Sequence, residues 1–181
     1  MNCDNKCDAI YIHGYGSGGY RNNPKVSYLE SECNCSVRLI DTGNYYDPNS
    51  YQSSIDLVLL EKEPNLIVGS SLGGYWAYNV ARKYGIPFVL FNPVINPSLQ
   101  LLRIDENVAA EYELVQYKSE RDNVISIPGL VFVSMNDPVL DATITDSFFT
   151  GKCKVVRLND SDDHRLSDLS DFGSELKAFI N

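Results

Sequence analysis

Histidine is scarce in this chain: His13 and His164 are the only two among 181 residues. Any reaction needing an imidazole base must use one of them. Five cysteines (Cys3, Cys7, Cys33, Cys35 and Cys153) leave one over after pairing, and the spacings C-x3-C and C-x-C are not those of common zinc sites. Neither histidine lies near a cysteine in sequence, so no metal is expected, and reduced thiols in a cytoplasmic protein are the simplest reading. Basic residues are also in deficit, with 15 Lys and Arg against 24 Asp and Glu and a formal charge of −9. This argues against nucleic acid or an anionic membrane as partner. No apolar run approaches membrane-spanning length. The start, Met1-Asn2-Cys3-Asp4-Asn5, lacks the apolar stretch of a signal peptide. A soluble, cytoplasmic protein is expected, monomeric or weakly dimeric.

What is present is a regular alternation. Short apolar, β-rich runs occur at Ala9–Ile12, Ser36–Ile40, Leu66–Val68, Pro87–Phe91, Gly129–Ser134 and Lys154–Leu158. Helical periodicity occupies the intervals: Pro24 to about Cys33, Ser50 to Lys62 (with Ile55, Leu59 and Leu60 as core candidates), Leu72 to Tyr84 closed by Gly85, Ala142 to Phe149, and Leu166 to Ile180. Strands alternating with helices predict one α/β domain over residues 1–181. Its mostly parallel sheet of about six strands is covered by helices on both faces, a three-layer sandwich. Residues 94–127 interrupt the rhythm between the fourth and fifth strands. They read either as a small cap over the strand ends or as a crossover with an extra helix over Glu106–Tyr117.

The chemistry centres on Gly69-Ser70-Ser71-Leu72-Gly73, a G-x-S-x-G. With glycine near 7% of residues, chance supplies this pattern in on the order of several per cent of chains this long. The context adds weight, because a strand ends directly before it and a helix begins directly after it. A nucleophilic serine on such a sharp turn projects its hydroxyl beyond the sheet edge. The flanking glycines remove Cβ atoms that would obstruct the turn. The Leu72 N–H, at the helix start, is the expected oxyanion donor.

A serine hydroxyl needs a base. In this motif's chain order of serine, acid, histidine, only His164 follows Ser71. The acid is expected between them at a strand end. Asp137, just past Gly129–Ser134, fits, and Asp141 on the same loop is the competitor. His13 opens the glycine-rich loop His13-Gly14-Tyr15-Gly16-Ser17-Gly18-Gly19, where a second oxyanion donor is expected from the Tyr15 N–H. His13 itself is expected to hold the loop in shape. A phosphate loop is disfavoured because neither G-x-x-x-x-G-K-[ST] nor G-x-G-x-x-G is present. Tyr15 and Tyr75 are the candidate substrate contacts. Tyr20, Tyr45, Tyr46 and Trp76 are further aromatic candidates whose more ordinary role is core or surface.

At these residues the sequence resembles the small YqiA-like esterases of the α/β-hydrolase superfamily. The resemblance rests on Ile10-Tyr11-Ile12-His13-Gly14-Tyr15, Asn23-Pro24-Lys25, Val68-Gly69-Ser70-Ser71-Leu72-Gly73-Gly74-Tyr75, Phe91-Asn92-Pro93-Val94, Asp137-Pro138-Val139-Leu140-Asp141 and Asp163-His164. It implies an α/β-hydrolase fold and esterase or thioesterase activity on acyl substrates, with Ser71, Asp137 and His164 as the triad and no cofactor. Ile95-Asn96-Pro97 replaces an arginine usual in that group, and Ser161-Asp162 replaces a Gly-Gly before Asp-His. The added carboxylate is expected to disfavour anionic substrates. A non-catalytic binding protein on the same scaffold, and a peptidase or acyltransferase using the same nucleophile, are the alternatives.

Overall fold

A computed structural model describes residues 7–17, 22–42, 46–119 and 127–181. Six strands, β1 (Cys7–Ile12), β2 (Cys35–Ile40), β3 (Leu66–Ser70), β4 (Phe88–Phe91), β5 (Gly129–Ser134) and β6 (Lys154–Leu158), form one parallel sheet in the order β2-β1-β3-β4-β5-β6. Every residue of β3, β4 and β5 is buried, whereas the edge strands β2 and β6 are partly exposed. Solid apolar runs such as Leu130-Val131-Phe132-Val133 are what a strand covered on both faces requires.

The strand period of two divides the core in two. Ile10 and Ile12 of β1 face one apolar cluster, and Ala9 and Tyr11 face the other. The first cluster is closed by α2 (Pro48–Glu61), α3 (Leu72–Tyr84), α5 (Glu106–Ser119) and α6 (Ala142–Phe149). The second is closed by α1 (Pro24–Ser31) and α7 (Gly173–Ile180). A four-residue helix, α4 (Pro97–Gln100), precedes α5. The helix starts follow from local chemistry. Asn23 and Asp47 cap α1 and α2, each with a proline in the first turn, and Gly85 ends α3 at φ 72°.

Two expectations need correction. The final helix begins at Gly173, not Leu166. Leu166 has a φ of 47°, and the Asp163 and Asp168 side chains accept backbone N–H groups of Arg165, Ser167 and Ser170, so this stretch folds as turns. Leu169 and Phe172 nevertheless face the core, which gave the segment its apolar periodicity. Leu60 is 83% exposed, while Tyr51 and Ile55, one turn apart on α2, carry that helix's packing.

The segment from 94 to 119 packs largely against the first cluster. Leu101, Ala109 and Tyr112 are buried, and the Tyr112 hydroxyl accepts a hydrogen bond from Trp76 Nε1 at 2.8 Å. No helix among the described residues is long and apolar enough to cross a membrane.

The sheet order places the site. The chain passes from β1 outward to β2, then returns to β3 on the other side of β1. Loops leaving β1 and β3 therefore diverge, and a crevice opens between them at the carboxyl edge of the sheet. The β1 loop carries Gly14 and Tyr15; the β3 turn carries Ser71.

Candidate active site

Ser71 joins β3 to α3 at φ 52° and ψ −123°, a conformation costly for a residue with a Cβ. Its backbone is pinned on both sides. The Ser71 N–H donates to Phe91 O at 3.0 Å, and its carbonyl accepts from Gly74 N at 2.9 Å and Val94 N at 3.0 Å. Gly73 makes the turn sterically possible, since a Cβ there would lie 2.1 Å from Ile12 O and 2.4 Å from His13 O. Gly14 brings the first loop equally close; its Cβ would lie 2.7 Å from Ser71 Cβ.

His164, Asp137 and Ser71 form one hydrogen-bonded series. His164 Nδ1 lies 2.7 Å from Asp137 Oδ2, and Nε2 lies 3.0 Å from Ser71 Oγ. A carboxylate only accepts, so Nδ1 carries the proton and Nε2 is free to accept from the serine hydroxyl. Asp137 is nearly sealed, with 2% of its side chain exposed, and its Oδ1 accepts the N–H groups of Val139 and Leu140 at 2.8 and 3.0 Å. The competitor, Asp141, caps α6 through Thr143 and is not at the imidazole.

His13 is buried and locks the glycine loop. Its Nδ1 lies 2.9 Å from Gly14 O, a pure acceptor, so this nitrogen donates and Nε2 accepts from Thr42 Oγ1 at 3.2 Å. The Ser17 hydroxyl donates to Gly14 O at 2.6 Å, and the Tyr51 hydroxyl donates to His13 O at 3.0 Å. Among the described residues neither the Tyr15 nor the Leu72 N–H is bonded to a backbone carbonyl.

A cleft of about 490 Å³ opens beside Ser71 and His164. Tyr15 lines it, its ring 4.4 Å from that of Tyr46 and its hydroxyl donating to Asp105 at 3.0 Å. Accepting that bond, Asp105 raises the Tyr15 pKa. Tyr75 is not among the lining residues. It is buried one helical turn beyond Ser71, edge-on to Trp76 and Tyr112, because position 75 turns back toward the sheet and α5. Trp76 is core as well, and Tyr20 and Tyr45 lie outside the described residues. Among the described residues none from the suggested cap, 94–127, lines the cleft; its residues 120–126 lie outside the described residues.

Two contributors carried no role in the sequence reading. Asn92, buried at φ 41°, bridges β5 to the histidine loop: its Oδ1 accepts from Ser134 N at 2.7 Å and its Nδ2 donates to His164 O at 2.9 Å. Lys25, also buried, donates from Nζ to Arg165 O, one residue beyond the histidine. Burial brings the Lys25 pKa down to about 8, with Asp163 pulling it up and Arg165 pushing it down. The only sequence signal for either residue was its place in the family-matching stretches. Asn92→Leu is expected to strand a buried N–H and release the histidine loop, costing about 1–3 kcal/mol. Urea unfolding should show that loss, accompanied by a lower kcat.

The parallel order, the serine turn and the crevice define an α/β-hydrolase fold. Solved structures agree. Est1E from Butyrivibrio proteoclasticus superimposes with a TM-score of 0.76 over 99% of this chain and 89% of its own, at 17% identity. An alpha-beta serine hydrolase homologue from Coxiella burnetii gives a TM-score of 0.63 over 97% and 83%, at 15% identity. Within that fold the chain belongs to the family described as Uncharacterised protein family (UPF0227), whose model matches residues 8–181. Relatives include a UPF0227 protein of Vibrio cholerae, 30% identical over 94% of this chain and 97% of its own, and one of Vibrio atlanticus, 28% identical over 95% and 98%.

Proposed function

We propose that this protein is a serine hydrolase that cleaves carboxylic esters or thioesters of small acyl substrates. The observation that carries the reading is the unbroken Ser71–His164–Asp137 series at the wall of an open cleft. Ser71 Oγ attacks the acyl carbonyl while His164 Nε2 takes its proton. The imidazolium that forms is stabilised by Asp137. The carbonyl oxygen becomes an oxyanion, received by the N–H groups of Tyr15 and Leu72. Collapse expels the alcohol or thiol, protonated by His164, and leaves an acyl-Ser71 ester. Water, deprotonated by His164, then attacks that ester and releases the acid. The similarity to Est1E supports the fold on which this chemistry is placed.

The test is covalent. A fluorophosphonate probe should label the folded protein at Ser71, and a short-chain nitrophenyl ester should be turned over. Failure of both with folded protein would overturn the reading.

A further inference from the structure

Among the described residues, the formal charges on the cleft walls are of one sign. The ionisable side chains there, tyrosines aside, are Lys25, His164 and Arg165, with no Asp or Glu among the described residues. This stands against the composition of a chain with nine more acidic than basic residues.

Lys25 is buried, its ammonium 5.3 Å from the Phe91 ring centre and bonded to Arg165 O. An ammonium has three N–H groups, and among the described residues this one has no ion-pair partner. Arg165 is exposed, and among the described residues its guanidinium also makes no ion pair. The two cations are close enough for Arg165 to depress the lysine's pKa. The opposing charge near Lys25, Asp163, is committed to the backbone N–H groups of Arg165 and Ser167 at 2.8 and 2.7 Å. The first turn of α1, at Pro24 and Lys25, opens on the same wall and adds its positive end. Asp105 is not among the residues that line the cleft and accepts the Tyr15 hydroxyl. Asp162, the residue expected to repel anions, is exposed and does not line the cleft. Two neighbouring cations on one wall repel each other, and a bound anion removes that cost.

We infer that the cleft takes an ester bearing an anionic group, carboxylate or phosphate, seated between Lys25 and Arg165 while the ester carbonyl lies over Ser71. The inference rests on the hydrolase reading and adds its substrate class.

The experiment compares kcat/KM for 4-nitrophenyl hexanoate, 4-nitrophenyl hemiadipate and a 4-nitrophenyl ester ending in a phosphonate. Fluorophosphonate labelling of Ser71 is measured in parallel. At low salt at least one anionic ester should be preferred by about ten-fold or more, a modest share of one desolvated charge contact. Which anionic arm leads tells carboxylate from phosphate. The preference should shrink as salt rises. It should also fall several-fold in Arg165→Gln and invert in Arg165→Glu; because Arg165 is exposed, both variants should fold. Equal kcat/KM for neutral and anionic esters, with Ser71 labelled, would overturn the substrate class and leave the hydrolase reading intact. No labelling and no turnover of any ester would overturn both.

Discussion

Ser71→Ala is expected to lower kcat for ester hydrolysis by about 10⁴- to 10⁶-fold, the range seen when a triad acts as a unit. Only Oγ is removed. The Cβ that the strained turn already accommodates stays in place, as do the backbone bonds to Phe91, Gly74 and Val94. His164 Nε2 loses its serine partner but keeps the carboxylate on its other nitrogen. Stability should therefore change by no more than about 1 kcal/mol, so the lost rate reports chemistry rather than folding. The check is stopped-flow or steady-state turnover of a nitrophenyl ester beside a thermal melt of the same preparation. A variant that melts normally and retains a tenth of the rate would place the nucleophile elsewhere.

Asp137→Asn should be nearly as damaging while leaving the geometry almost unchanged. Oδ1 accepts two backbone N–H groups, from Val139 and Leu140. An asparagine must put its carbonyl oxygen there, which turns its NH2 toward His164 Nδ1. That nitrogen must then accept, so the proton moves to Nε2 and the imidazole can no longer take one from Ser71. A loss in kcat of about 10⁴-fold is expected. Asp141→Asn is the matched control. Its carboxylate caps α6 through Thr143, so at most about 1 kcal/mol of stability is at stake and the rate should hold. If the two variants behaved alike, the orienting acid would lie elsewhere.

The hydrogen-bonded series of Ser71, His164 and Asp137 was legible because its members obey local rules. Ser71 sits between a readable strand and a readable helix, and Asp137 follows a solid apolar strand. His164 was found by elimination, which the scarcity of histidine made possible. The sheet was legible for the same reason, since β3, β4 and β5 are continuous apolar runs. What escaped depends on distant partners. Asn92 and Lys25 act on backbone carbonyls more than 70 residues away, and no sequence window contains both ends of those bonds. The start of the last helix was misread because Leu166, Leu169 and Phe172 repeat at helical spacing while the Asp163 and Asp168 side chains hold their backbone in turns. Tyr75, a candidate substrate contact by sequence, stands at a helical position that faces the core. The net charge of −9 likewise carried no information about the cleft wall, where Lys25 and Arg165 meet.

The central claim is that Ser71 is a nucleophile activated by His164. Its most direct measurement is mass spectrometry of the intact, folded protein after exposure to a fluorophosphonate, with the adduct located by peptide mapping. One phosphonyl group per chain, on Ser71, formed quickly in the native protein and far more slowly in His164→Ala, is the predicted result. An unmodified native protein, or an adduct on another residue, would contradict it.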